Sequence, residues 1–212
     1  MSSPIRAVLF DVGGVLVRTF DQSGRRRWEE RLGLPPGGAE ALVLNSPMGH
    51  SAQRGEIGEA ALWAWVAERL ALDAELAAFR ADFWRGDRVD ETLVDLIRRL
   101  RPRYQTAVIS NATDGLRNTL EAYGLLGEFD VVVGSAYEGV MKPDPAIYQR
   151  ALQRLGRAAD EAVLIDDAPA NVAGAGAVGL NAILFTPTLD LEEELRRRGV
   201  RAAPAAARAN PE

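Results

Sequence analysis

The 212-residue sequence has no cysteine, which excludes disulfide scaffolds, cysteine zinc sites and thiol nucleophiles. A single histidine, His50, leaves no basis for a histidine-based triad or a multi-histidine metal centre. There is no run of about 18 apolar residues, so no membrane span is expected. The opening residues 1–6 lack the long apolar core of a signal peptide, and a cytoplasmic location is expected. Basic charge is not in excess: 25 Lys+Arg face 30 Asp+Glu, for a formal net charge of −5. That balance argues against a dedicated nucleic-acid-binding face. No internal repeat is present. What remains for chemistry is carboxylates, hydroxyls, lysine and arginine.

The composition is that of a folded globular chain, 47% apolar and 26% charged, long enough for one full-sized domain with a modest insertion. Short apolar runs of β-forming residues lie at 7–10, 106–109, 130–133, 162–165 and 181–185. Helical spacing of apolar residues separates them at 91–100, 114–123 and 145–155. Strands alternating with helices through short links predict βαβ units and a parallel sheet. Polar residues gather where these runs end, at the strand edge where open α/β sheets bind ligands.

One stretch breaks the alternation. Roughly 70 residues between the first strand and Glu91 show helical patterning near 25–32, 38–44, 58–70 and 74–84, with no convincing strand. That is far longer than an ordinary βα link. The expected architecture is therefore α/β: a Rossmann-like parallel sheet flanked by helices, with an inserted all-helical cap. The core would take residues 1–18 and 88–200, and the cap 19–87. The Ala/Pro-rich 201–212 would be a flexible tail.

Four groups of residues carry candidate chemistry. Asp11 ends the first strand before Gly13-Gly14 and reads as a nucleophile or as a turn cap. Ser110-Asn111 reads as an anion holder or as part of a helix N-cap with Thr113 and Asp114. Lys142, before Pro143, reads as a point charge for an anion or as a solvated lysine at a helix start. Asp166-Asp167 are adjacent carboxylates at a strand end, a set of hard oxygens that suits Mg²⁺; the alternative is a turn with one exposed Asp. Among the rest, His50 reads as a surface or packing residue, and Arg25–Arg27 and Arg196–Arg198 read as solvated helix faces. Trp63 and Trp65 would build the cap core, and Arg18 and Arg54 are weak candidates for meeting an anionic substrate.

In this order, with one group per strand end, the motifs resemble the haloacid dehalogenase superfamily. The resemblance runs from Ala7 to about Phe185 and includes the helical insertion, Arg54-Gly-Glu-Ile57, the segment 139–148 and the run 165–179. It is similar to the subgroup that contains α-glucose-1-phosphate phosphatase. It implies that Asp11 attacks phosphorus, that Ser110 and Asn111 hold phosphoryl oxygens, and that Lys142 neutralises charge. It implies a Mg²⁺ cofactor held by Asp11, the Gly13 backbone carbonyl and Asp167, with Asp166 a direct or outer ligand. The partner it implies is a small phosphorylated substrate, acted on by a monomer or homodimer.

One position departs from the pattern. Phosphatases of this family carry Asp-x-Asp, whereas this chain reads Asp11-Val12-Gly13. The absent carboxylate is the usual acid/base, worth about 10²–10⁴ in rate. The similar subgroup also carries glycine here. Asp21 and Glu56 are the expected cap-side substitutes. A 2-haloacid dehalogenase, whose halide leaving group needs no acid, and a catalytically weak phospho-ligand binder are the alternative functions.

Overall fold

The computed structural model describes residues 3–204. The chain begins with β1 (Ala7–Phe10), β2 (Val17–Thr19), α1 (Ser23–Leu32), α2 (Gly38–Val43), α3 (Pro47–Gln53), α4 (Glu59–Leu70) and α5 (Leu76–Trp84). It continues with β3 (Asp87–Val89), α6 (Glu91–Leu100), β4 (Gln105–Ser110), α7 (Leu116–Ala122), β5 (Val131–Gly134), α8 (Ser135–Glu138) and α9 (Pro145–Leu155). The last elements are β6 (Ala162–Asp166), α10 (Pro169–Ala177), β7 (Asn181–Leu184) and α11 (Leu191–Arg197).

The main sheet has the order β5-β4-β1-β6-β7, and all its pairings are parallel. Every residue of β1 and β6 is buried, which explains why these strands read as unbroken apolar runs. Alternate side chains feed two separate layers. Val8, Phe10, Val108, Val163 and Ile165 pack with α6, α7 and α11 on one face. Ala7, Leu9, Ile109 and Leu164 pack with α9 and α10 on the other. Helix α6 shows how local signals agree with this packing: Asp90 caps it by accepting from the N–H groups of Thr92 and Leu93, and Leu93, Leu96, Ile97 and Leu100 are all buried.

Helices α1 to α5 form a third layer around a cluster of their own. Trp28, Leu62, Trp63, Val66, Phe79 and Phe83 fill it, with edge-to-face ring contacts such as Trp28–Phe79 at 5.4 Å. The chain enters and leaves this layer through an antiparallel ribbon in which Val17, Arg18 and Thr19 pair with Val89, Arg88 and Asp87. This ribbon corrects the expectation of no strand in the inserted stretch; three residues are too few to show a period. Helix α3 was also unforeseen, although Ser46 caps it by accepting from the Gly49 N–H and Pro47 opens it.

Two further expectations are corrected. Arg25 is not on a solvated face: it is 5% exposed and donates to the Phe83 carbonyl, Glu40 and Asp87. Residues just past 200 are tied down, because the Arg201 N–H donates to the Tyr104 hydroxyl and the Ala203 N–H to the Arg99 carbonyl. The remainder of the expected tail, 205–212, lies outside the described residues. No helix among the described residues is long and apolar enough to cross a membrane.

Candidate active site

Asp11 follows β1, Ser110 closes β4 and Asp166 closes β6, so three adjacent parallel strands deliver three polar side chains to one edge. Lys142 reaches them from the segment before α9. Its side chain is fully buried, with Nζ 2.6 Å from Asp166 Oδ2 and 2.9 Å from Asp11 Oδ2. The backbone of Lys142 is held by Asn111. The Lys142 N–H donates to Asn111 Oδ1 at 2.7 Å, and Asn111 Nδ2 donates to the Lys142 carbonyl at 2.9 Å. Both side-chain groups of Asn111 are thus used to clamp the lysine loop. Its backbone N–H bonds to no backbone group among the described residues and stays available at the strand edge.

Asp166 is completely buried and saturated. Besides Lys142, it accepts from the Ala168 N–H at 2.9 Å and from Asn171 Nδ2 at 3.0 Å. Tyr148 donates to the Asn171 carbonyl at 2.8 Å and so ties α9 to this corner. Asn171 and Tyr148 were not singled out as site residues in the sequence. Their signal there is membership of the segments 139–148 and 165–179 that carry the family resemblance; the bond from Tyr148 to Asn171 spans a gap set by helix packing.

Three carboxylates, Asp11, Asp166 and Asp167, each bring an oxygen within 4.8 Å of the others. One ammonium faces them, so the corner carries surplus negative charge. Burial and this charge act together on the carboxyls. Burial pushes the Asp11 carboxyl up; the Lys142 ammonium opposes this, and the Asp166 charge adds to it. Asp167 is likewise raised, by burial first and then by the charges of Asp11 and Asp166. An all-oxygen donor set with unbalanced negative charge fits a hard divalent cation, whose ligands at ~2.1 Å lie up to about 4.2 Å apart.

Gly14 shapes the same corner. Its φ is +78°, and a Cβ there would lie 2.0 Å from Asp167 Oδ2. Gly14→Ala is therefore expected to displace the Asp167 carboxylate. The affinity of this corner for a divalent cation, read by calorimetric titration, should fall about 10- to 100-fold. Stability should fall by about 1–3 kcal/mol from the strained backbone.

Residues 5–179 match the haloacid dehalogenase-like hydrolase family. The chain belongs to that family. Sesquiterpene phosphatase astK of Aspergillus oryzae is 27% identical over 203 residues, 93% of this chain and 98% of that protein. Phosphoglycolate phosphatase of Rhodospirillum rubrum is 29% identical over 191 residues, covering 85% of this chain and 79% of that one. A mouse protein, acyl-CoA dehydrogenase family member 10, is 46% identical, but over 56 residues, 26% of this chain and 5% of its own length. Among solved structures, a family enzyme of Bacteroides thetaiotaomicron in complex with magnesium and inorganic phosphate superimposes with a TM-score of 0.74. It is 21% identical and covers 91% of this chain and all of the other; at that identity the likeness shows the fold.

In this hydrolase a cavity of about 460 Å³ opens beside Gly13, Ser110 and Asn111, between the strand edge and the α1–α5 layer. Neither expected proton donor lines it. Asp21 accepts from the N–H and hydroxyl of Ser23, bonds that hold its carboxyl below the usual range. Glu56 is pulled down to about 2 by hydrogen bonds from Arg54 and Ser51. The carboxylates that do line the cavity are Glu59 and Asp87. Both reach it through tertiary contacts and are already bonded, Glu59 to Arg80, Trp63 and Thr113, Asp87 to Thr19 and Arg25.

The minor candidates fall elsewhere. Arg18 pairs with Asp90 and stacks on Phe20, Arg54 pairs with Glu56, and neither lines the cavity. Trp63 both packs in the helical layer and faces the cavity, whereas Trp65 only packs against that layer. His50 sits in α3 and does not line the cavity.

Proposed function

We propose that this hydrolase is a Mg²⁺-dependent phosphatase acting on a small phosphorylated metabolite. Carrying the reading is one observation: Asp11 is held 2.9 Å from the buried Lys142 ammonium, within a three-carboxylate corner that one lysine does not balance. The helical cap, residues 19–87 over a core of 1–18 and 88–200, would close over the substrate.

A carboxylate oxygen of Asp11 attacks phosphorus, and the bond to the leaving oxygen breaks. Water then hydrolyses the aspartyl-phosphate, releasing phosphate and regenerating Asp11. Lys142 keeps Asp11 ionised and oriented and offsets charge on the transferring group. The Ser110 hydroxyl and the Asn111 N–H hold phosphoryl oxygens. Mg²⁺, held by Asp11, the Gly13 carbonyl and Asp167, would supply positive charge to the phosphoryl oxygens. Asp166, with both oxygens already bonded, would act as the outer partner that fixes Lys142. The surplus of carboxylates has no purpose in a metal-free haloacid dehalogenase, which favours the phosphatase reading over that one.

The test is a panel of phosphate esters with the full chain. Turnover is expected with Mg²⁺ and should fall at least 100-fold in excess EDTA, returning on adding Mg²⁺. Undiminished turnover in EDTA, or halide release from a 2-haloacid without metal, overturns the reading. Tight phosphate-ester binding with no turnover would show a binding protein instead.

A further inference from the structure

The cavity beside Gly13 and Ser110 differs in character from the charged corner it adjoins. Its walls are largely Val43, Leu62, Leu116, Trp63, Trp84 and Tyr123. Its polar side chains are mostly committed to protein. Gln53 donates to the Leu44 carbonyl, Thr119 to the Gly115 carbonyl, and Thr113 and Arg80 to Glu59. Asp87 accepts from Thr19 and Arg25. Besides Ser110, the polar side chains of the wall with no hydrogen-bond partner at all among the described residues are Tyr123 and Trp84; Gln53, Arg80 and Asp87 each spend part of their bonding capacity on the protein.

A polyhydroxylated leaving group would find few partners in such a wall. Each hydroxyl buried without one weakens binding roughly 5- to 150-fold. A hydrocarbon or aryl group would instead gain from every buried methylene.

We infer that this cavity receives the apolar leaving group of an amphiphilic phosphate monoester, an alkyl, isoprenoid-like or aryl moiety rather than a sugar. The inference rests on the phosphatase reading for its chemistry and on the cavity walls for its specificity. Trp84 and Tyr123, both in the cavity lining, leave one or two donors for a single polar substituent. Trp84 is 41% exposed as it stands, an apolar surface that such a substrate would cover.

The experiment uses primary alkyl phosphates from ethyl to decyl, below their micelle concentrations, with Mg²⁺. Their leaving groups are of nearly equal basicity, so chain length reports the cavity and not the chemistry. We expect kcat/KM to rise by up to about 4-fold per methylene until the cavity is full. Glycerol 3-phosphate and glucose 6-phosphate should fall at least 100-fold below decyl phosphate. Trp84→Ala, a change outside the fully buried core, should flatten the slope for the longer chains. In parallel, decyl phosphonate, which cannot be hydrolysed, is titrated by tryptophan fluorescence, with methyl phosphonate as the reference.

The outcomes separate the two readings. Acetyl phosphate turnover with a flat alkyl series, or with sugar phosphates preferred, overturns the cavity assignment and leaves the phosphatase reading standing. No turnover of any ester, but decyl phosphonate binding at least 100-fold tighter than methyl phosphonate, overturns the phosphatase reading and supports the cavity assignment. Absence of both overturns both.

Discussion

Asp11→Asn is expected to reduce phosphate-ester turnover by more than about 10⁴-fold, while the protein keeps its fold. The amide has no nucleophilic oxygen able to form the aspartyl-phosphate, and removing a covalent nucleophile costs rates of this order. The fold should survive for a local reason. Lys142 keeps its 2.6 Å partner Asp166, so the buried ammonium is not orphaned. Stability without added metal should be unchanged or higher. The folded-state raising of the Asp11 carboxyl means that its ionised form opposes folding, progressively so as pH rises through the interval above its ordinary value. An amide has no such penalty. Thermal melts of both proteins in EDTA at pH 7, beside initial rates with Mg²⁺, check both halves. Residual turnover within 100-fold of wild type would mean that water attacks directly.

Gly13→Asp is expected to do the opposite and raise the turnover of ordinary alkyl phosphates by about 10²-fold or more. A positioned carboxyl that protonates the leaving oxygen contributes typically 10²–10⁴. The backbone admits it: a Cβ at Gly13 meets nothing within 4 Å, and Gly13 is not among the positive-φ glycines. The contrast with Gly14, where both conformation and space are restricted, makes the two adjacent substitutions a matched pair. Wild type should hydrolyse acetyl phosphate and p-nitrophenyl phosphate well and alkyl esters slowly, with anomeric phosphates between them. Rates plotted against leaving-group pKa should slope steeply in wild type and flatten in the variant. A flat wild-type plot with fast alkyl esters would show that another group already delivers the proton. Glu59 and Asp87 would then be the side chains to replace, since they line the cavity and Asp21 and Glu56 do not.

Asp21 and Glu56 illustrate what a linear reading misses. Each lies at a plausible distance along the chain from Asp11, yet each is used up locally. Asp21 closes a turn two residues away on Ser23, and Glu56 pairs two residues away with Arg54. Short-range hydrogen bonds of this kind compete with any distant role. Asn111 was legible as a site residue but not in its use. Its position after β4 follows from the strand pattern, while its clamp on Lys142 bridges 31 residues and two loops. The expected likeness to α-glucose-1-phosphate phosphatase is in the same position. Motifs at strand ends report the charged corner, but the walls of the cavity beside it come from helices in the inserted layer and from α7.

By itself, the sequence determined the parallel sheet, the order of its polar strand ends and the identity of the charged corner. The physical reason is that these features are periodic or local. Buried parallel strands must be apolar throughout, and the residues that follow them fall on one edge of the sheet whatever the helices do. Tertiary structure alone decided which side chains were free to act. Whether Asn111 faces solvent or holds a loop, and whether Asp21 or Asp87 reaches the cavity, depends on contacts between residues far apart in the chain. So does the way Gly14 must yield to Asp167 while Gly13 stands in open space. Such contacts are set by how the α1–α5 layer packs over the strand ends, a three-dimensional fit with no repeat in sequence to announce it.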